Sequence, residues 1–255
     1  MAVSVAAGPA GRVCRKPGFS PGRYDARAMQ DNASAPFLKT AWILAGLGLT
    51  ALLAWDYAGL DLAVIRPWAD ASGFPWREHW LTRDVFHQGG RALAGVVIAF
   101  MLVLNLWRGL LPAMTRRERL WWLGTSVVCL LLIPLLKRQS LTSCPWDLNE
   151  FGGLATYVSH WRFGVADGGP GHCFPSGHAS SAFAFFAGFF ALRRAYPRAA
   201  KAFLVALLLC GLGYGWAQMA RGAHYASHTM WTAWICWTLT TLSCRLLLKP
   251  RSAEA

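Results

Sequence analysis

The chain has 255 residues, is 55% hydrophobic and only 15% charged, and carries 14 Trp, 14 Phe and a formal charge of +13. Soluble domains hold about 25% charged residues, so the composition excludes an ordinary soluble enzyme and points to one polytopic, all-α membrane domain. Nucleic acid is not an expected partner, because the cations lie between apolar runs, where they orient helices and meet anionic lipid head groups.

Residues 1–39 are rich in Gly, Pro, Ala and Arg and lack helical periodicity, so they read as a disordered cytoplasmic tail. Met29 is a candidate internal start that would remove most of it. Six apolar runs follow, about Ala41–Leu60, Ala92–Leu111, Leu120–Leu136, Phe174–Leu192, Ala202–Ala220 and Thr229–Leu248. Each is near the ~20 residues needed to cross a bilayer. They define a membrane domain over 40–248, expected as a six-helix transmembrane bundle, with a short cytoplasmic tail at 249–255.

Arg12, Arg15, Lys16, Arg23, Arg27 and Lys39 precede the first run, and Arg116, Arg117 and Arg119 separate the second from the third. Arg193, Arg194, Arg198 and Lys201 separate the fourth from the fifth, and Lys249 and Arg251 follow the sixth. These alternate segments belong on one side, which places both termini in the cytoplasm. The remaining segments, Asp61–Arg91, Lys137–Cys173 and Arg221–His228, then face outward. All seven histidines lie there or at the adjoining helix mouths. Titratable groups gathered at one face mark where chemistry would sit. His79, His87 and His160 read as interfacial, as do Trp121, Trp122, Trp231, Trp234 and Trp237. Asp167-Gly-Gly-Pro reads as a turn.

Three outward stretches carry residue types that handle phosphate. They are Lys137–Gly153 (KRQSLTSCPWDLNEFGG), the HCFPSGH that opens the fourth run, and Ala220–His228 (ARGAHYASH). In the second, Ser176 stands where an N-cap belongs, and Gly177, His178 and Ala179 would form the first helical turn. Unpaired amides and the positive helix end make such a turn an anion cradle. Phosphoryl transfer needs fixed positive charge, donors for the equatorial oxygens, an in-line nucleophile and an acid. Lys137 and Arg221 offer charge, Ser176 and the Gly177 amide offer donors, and His178 and His224 offer acid and nucleophile.

These residues resemble the motifs of the type 2 phosphatidic acid phosphatase (PAP2) superfamily, integral-membrane branch. That pattern runs Lys, six residues, Arg-Pro; then Pro-Ser-Gly-His; then Ser-Arg, five residues, His, three residues, Asp. Pro175–His178 matches the second part fully. In the first, Lys137 is followed after six residues by Cys144-Pro145, so cysteine stands in the arginine position. In the third, His224 matches the nucleophile, Gln218 takes the arginine position and His228 takes the orienting acid position, HYASH against the usual HYPSD. Arg221 lies one helical turn past Gln218 and can serve the same phosphate. Asp147 or Glu150 is the candidate for the missing carboxylate beside His224. Cys144 and Cys173, both at the implied site, could join in a disulfide in an oxidising periplasm. His224 and His228, four apart, also suit a zinc pair with Asp147, Glu150 or His172. The family works without metal, and neither metal nor other cofactor is expected.

The resemblance implies a phosphatase in a bacterial inner membrane, acting at the periplasmic face on a lipid-linked phosphate or diphosphate through a phosphohistidine. Candidate lipids are undecaprenyl diphosphate, lipid A and glycerophospholipid phosphates. The implied catalytic residues are His224, His178 and His228, and the implied phosphate ligands are Lys137, Ser176, Gly177, Arg221 and, at second remove, Arg138. Two alternatives stay open: a lipid phosphotransferase using the same intermediate, and a noncatalytic lipid transporter or membrane protein of the same fold.

Overall fold

The computed structural model describes residues 35–107 and 109–248. The expected tail over 1–34, the candidate start at Met29, the tail at 249–255 and the cations in those segments lie outside the described residues. Among the described residues the chain is helical, with two isolated β-bridges and no strand. Helix α1 spans Ala35–Tyr57 and α2 spans Leu60–Ile65. A π-helical stretch, Leu81–Gly89, runs into α3, Gly90–Leu106. Helix α4 is Arg116–Gln139, α5 is Ser180–Phe183, α6 is Phe186–Leu192, α7 is Pro197–Ala220 and α8 is Ala226–Leu247.

Local chemistry sets several boundaries. Thr115 Oγ1 accepts the Glu118 amide at 3.1 Å while Glu118 Oε2 accepts the Thr115 amide at 2.7 Å, a capping box that starts α4. Pro197 opens α7, where its missing N–H is no loss. Helix α1 begins at Ala35, so the last stretch of the expected tail is helical. The second long helix begins at Leu81 rather than near Ala92, because the polar stretch before the apolar run winds as π-helix.

Among the described residues four helices are long and apolar enough to cross a membrane: Ala35–Tyr57, Leu81–Leu106, Arg116–Gln139 and Pro197–Ala220. The other two apolar runs depart from the expectation. The Phe174–Leu192 run starts its helix only at Ser180 and breaks at Ala184 and Phe185, leaving two short pieces. Helix α8, at 22 residues or about 33 Å, is long enough to span, but Ser227, His228, Thr229, Thr232, Thr240, Thr241 and Ser243 make it too polar to rank with those four.

The polar helix and the broken one occupy the middle of the bundle. Phe183, Phe185, Phe186 and Phe190 are all buried. Gly211 of α7 lets the Phe183 ring approach to 2.2 Å from where a Cβ would stand. Lipid tails are as apolar as leucine, so packing and interhelical hydrogen bonds, about 0.6 kcal/mol each, hold such a bundle. Trp234 Nε1 donates to Ala45 O at 2.9 Å and Trp237 Nε1 to Ala41 O at 3.0 Å, fastening α8 to α1. Trp231 Nε1 reaches Asp56 and Trp121 Nε1 reaches Ser243. Trp121, Trp122 and Trp231, read from the sequence as interfacial, are buried within the protein, and the Trp121 and Trp231 indoles tie helices together. At one end, a second apolar cluster of Ile65, Phe74, Leu148, Ala155 and Tyr225 supports the loops that carry the histidines.

Candidate active site

Three loops meet at that end. The first leaves α4 after Lys137. The second, around residues 171–179, runs beside it: His172 N donates to Ser140 O at 2.8 Å and Cys173 N to Thr142 O at 2.9 Å. Cys144 and Cys173 are joined by a disulfide. Buried Asp167 locks both loops, accepting the Ser143 amide at 2.6 Å, the Ser143 hydroxyl at 2.7 Å and the Gly169 amide at 3.0 Å. The turn expected there is present, but its carboxylate also bridges.

The third loop joins α7 to α8. Gly222 has φ +71°, and a Cβ there would lie 2.3 Å from the Phe74 ring, so the position needs glycine twice over. That turn lets the Ala223 and His224 amides both donate to Gln218 O, at 2.8 and 3.2 Å. Trp146 N donates to Gly222 O at 2.9 Å, and Ser176 N to His228 O at 3.1 Å. Thr232 Oγ1 donates to Ser176 O at 2.9 Å. Each loop therefore touches the others through backbone groups.

Ser176 is not the expected N-cap. Gly177–Ala179 form a separate turn, and the helix starts at Ser180. The anion-cradle reading thus loses its long helix and keeps its turn. Lys137 Cδ lies 3.8 Å from where a Gly177 Cβ would be, so the lysine overlies this turn. Ser176 Oγ and His178 Nδ1 are buried without a hydrogen-bond partner among the described residues.

His224 is 1% exposed, and its ring centroid lies 6.0 Å from that of His178. Its Nδ1 is 3.5 Å from both His228 Nδ1 and Cys173 Sγ. Neither contact engages Nε2. Burial, then the charges of Lys137, His228 and His178, hold the His224 imidazole well below its ordinary range. Burial, then the charges of His87, Lys137, Arg221 and Arg91, lower His178 to about 3. Both rings are accordingly neutral at pH 7.

His87, read from the sequence as interfacial, belongs to the site. Its ring centroid is 4.1 Å from that of His178, and Arg221 Nη1 lies 2.8 Å from its Nδ1. The guanidinium can only donate, so His87 Nδ1 accepts and Nε2 carries the proton. Arg221 Nε donates to Arg77 O at 2.8 Å. Arg221 thus reaches the site through His87, with both partners, Arg77 and His87, coming from the segment before α3. Gln218 lies beside His87, although its amide makes no aligned hydrogen bond.

The structure brings Lys137, Ser176, Gly177, His178, His224 and His228 together, with Arg221 at the edge. Arg138 is exposed, about 100° around α4 from Lys137. The expected carboxylate partner of His224 does not form. Asp147 accepts the Cys144 amide at 3.2 Å and caps its own 3-10 turn, while Glu150 pairs with Arg66 at 2.6 Å in an exposed ion pair. His172 is exposed, and no zinc set of these residues with His228 assembles among the described residues. The carboxylates behind the site are Asp56 and Asp61. Asp61 accepts the Ser227 amide at 3.0 Å and its hydroxyl, fixing the first turn of α8. Asp56 sits 3.3 Å from His160 Nε2, and the His160 ring lies 6.0 Å edge-on to His228. An acid in the last turn of an apolar run was the available signal for Asp56.

A lysine over a glycine turn, a buried serine hydroxyl and two neutral imidazoles with centroids 6.0 Å apart are groups of the kind that phosphoryl transfer uses. Residues 119–251 match the family model of the PAP2 superfamily. The chain belongs to the PAP2 superfamily. Membership agrees with phosphatase-type chemistry in a protein with membrane-spanning helices. No curated protein and no solved structure shows significant similarity to this PAP2 chain.

Proposed function

We propose that this PAP2 protein is a membrane phosphatase that hydrolyses a lipid-linked phosphate or diphosphate at the periplasmic face of a bacterial inner membrane. The observation that carries the reading is the 6.0 Å separation of the His178 and His224 rings, with Lys137 beside them over Gly177. In the proposed reaction Lys137, the Gly177 amide and Ser176 Oγ hold the phosphoryl oxygens. His224 Nε2, neutral through burial, attacks phosphorus. A P–N bond forms as the P–O bond to the lipid alcohol breaks, or in a diphosphate the P–O bond to the bridging oxygen of the departing lipid monophosphate, and His178 gives its proton to the departing oxygen. Water then attacks the phosphohistidine, loses a proton to His178 and releases inorganic phosphate.

His178 must be protonated for the first step, and it is neutral in the free protein. The anionic substrate supplies the shift, because negative charge beside an imidazole favours imidazolium. His228, in the family's acid position, contacts His224 Nδ1 and orients the ring. A groove of about 500 Å³ lined by Leu44, Leu52, Trp55, Phe186, Leu208 and Trp234 opens along α1, α6, α7 and α8, which suits a substrate whose chain stays in the bilayer.

The test is phosphate release from undecaprenyl diphosphate, lipid A, phosphatidic acid and phosphatidylglycerol phosphate in mixed micelles. His224→Ala should lower kcat about 10⁴-fold or more while the protein still folds. Equal rates for wild type and variant on every lipid would remove the proposal.

A further inference from the structure

A second polar cluster lies behind the histidine site. Asp56 closes α1, Asp61 opens α2, and His160 comes from the loop before residue 171. One ligand atom from each lies within 4.8 Å of the others. The side chains are almost fully buried, His160 at 7% exposed and Asp56 at 4%. Asp61 is likewise 4% exposed. The other dense donor group, Cys144, Cys173 and His224, is spent on the disulfide and carries no such argument.

The hydrogen bonds in the cluster come from neutral groups. Asp56 Oδ2 accepts the indoles of Trp161 and Trp231 at 2.9 and 3.0 Å. Asp61 Oδ1 accepts the Trp55 indole at 2.9 Å and the Ser227 amide at 3.0 Å. These donors fix the carboxylates but add no positive charge; they fill Asp56 Oδ2 and Asp61 Oδ1, which leaves Asp56 Oδ1 and, beside the Ser227 hydroxyl, one lone pair of Asp61 Oδ2. Asp56 Oδ1 and His160 Nε2 have no hydrogen-bond partner among the described residues. The cluster thus sets two buried carboxylates against one imidazole. A buried charge without a counter-charge costs several kcal/mol.

Between these groups lies a cavity of about 10 Å³, lined by Asp56, Asp61, Tyr157, Ser159 and His160. That is roughly one probe sphere, room for a single water or ion. We propose that Asp56, Asp61 and His160 bind a divalent transition-metal ion, with Asp56 Oδ1, which has no partner among the described residues, and His160 Nε2, held only by its 3.3 Å contact with Asp56 Oδ2, as ligand atoms. Mixed carboxylate and imidazole donors select zinc or manganese over the all-oxygen ions calcium and magnesium. The ion would tie α1 and α2 to the first turn of α8, since Asp61 also holds Ser227. The role is structural and does not depend on the phosphatase reading.

The experiment uses full-length protein purified in detergent without chelators, with metal measured by inductively coupled plasma mass spectrometry. Wild type should carry about one zinc or manganese ion per chain, and Asp56→Asn and His160→Gln should each lower occupancy about tenfold or more. His79→Gln, an exposed histidine outside the cluster, should keep the metal. Should the cluster variants fail to fold, wild type decides the matter. A chelator should lower its thermal midpoint, and Zn²⁺ or Mn²⁺, but not Mg²⁺, should restore it. Wild type that holds no metal after incubation with Zn²⁺ and Mn²⁺, and whose midpoint ignores chelator and metal alike, overturns the proposal. In that case the cavity holds water and Asp56 with His160 is an ordinary ion pair.

Discussion

The two ends of the helix bundle handle polar groups in opposite ways. At the end where α4 begins, buried Glu118 caps its own helix through Thr115 and lies 3.6 Å from Arg194 Nε, and Arg194 Nη2 donates to Ala113 O at 2.8 Å. At the other end, Ser176 Oγ, His178 Nδ1 and His228 Nε2 are buried with no partner among the described residues. Buried polar atoms are normally paired, and each lapse costs about 1–3 kcal/mol. At the first end the buried Glu118 carboxylate is satisfied by its own chain, as a structural joint should be. The other keeps hydrogen-bonding capacity that an oxyanion can use. Stability and chemistry are therefore separable, and substitutions at the two ends should fail differently.

The largest effect argued from this contrast is at Lys137. Its ammonium is the nearest fixed charge over the Gly177 turn, so Lys137→Ala should lower kcat about 10²- to 10³-fold while the thermal midpoint holds or rises. Loss of folding without a specific kinetic defect would place Lys137 among the structural groups. Glu118→Ala should show the reverse pattern. Removing the capping carboxylate and leaving Arg194 unpaired should cost about 2–3 kcal/mol of stability, with kcat per folded molecule unchanged. A kinetic defect in that variant, measured on protein verified as folded, would erase the distinction between the ends. Smaller again is His87→Ala. This ring packs on His178 and takes a hydrogen bond from Arg221, so its loss should lower kcat/KM about tenfold, with partial rescue by Gln, which can still accept from the guanidinium.

How much of this was legible in the residues follows the same division. The membrane class and the apolar runs were readable because bilayer thickness imposes length and apolarity along one segment. The break in the Phe174–Leu192 run was not, since Ala184 and Phe185 look no different from helical neighbours. Four of the site groups stood out because Lys137, Pro175–His178 and His224 occur at family-like spacing. Arg221 was found by its place one turn beyond Gln218, but its attachment to His87 depends on a segment far away in the chain. Asp147 and Glu150, the two acids of the Lys137–Gly153 stretch, stood as candidates for the missing carboxylate beside His224. Proximity along the chain failed there, for one carboxylate was needed by its own turn and the other by Arg66. Asp56 sits near the end of a run that read as a plain membrane span and Asp61 opens the segment that follows it, and only the folded bundle shows that α8 returns to them.

The smallest expected effect is on pH dependence, and it also separates the ends. His178 is lowered to about 3 and His224 well below its ordinary value, in both cases chiefly by burial. In the unfolded chain each titrates near 6.5. Above that value both states are neutral and the full stability is present. As the pH falls below 6.5 the unfolded chain takes up protons that the folded protein refuses, so stability declines toward pH 3. Each imidazole contributes a slope of up to about 1.4 kcal/mol per pH unit. Thermal midpoints between pH 7.5 and 5 should fall for wild type and flatten measurably in the His178→Asn and His224→Asn variants. Glu118→Ala should lower the whole curve, because its loss removes a helix cap and an ion-pair partner and leaves both buried imidazoles in place. An unchanged slope in the histidine variants would mean that these rings already take up protons in the folded protein.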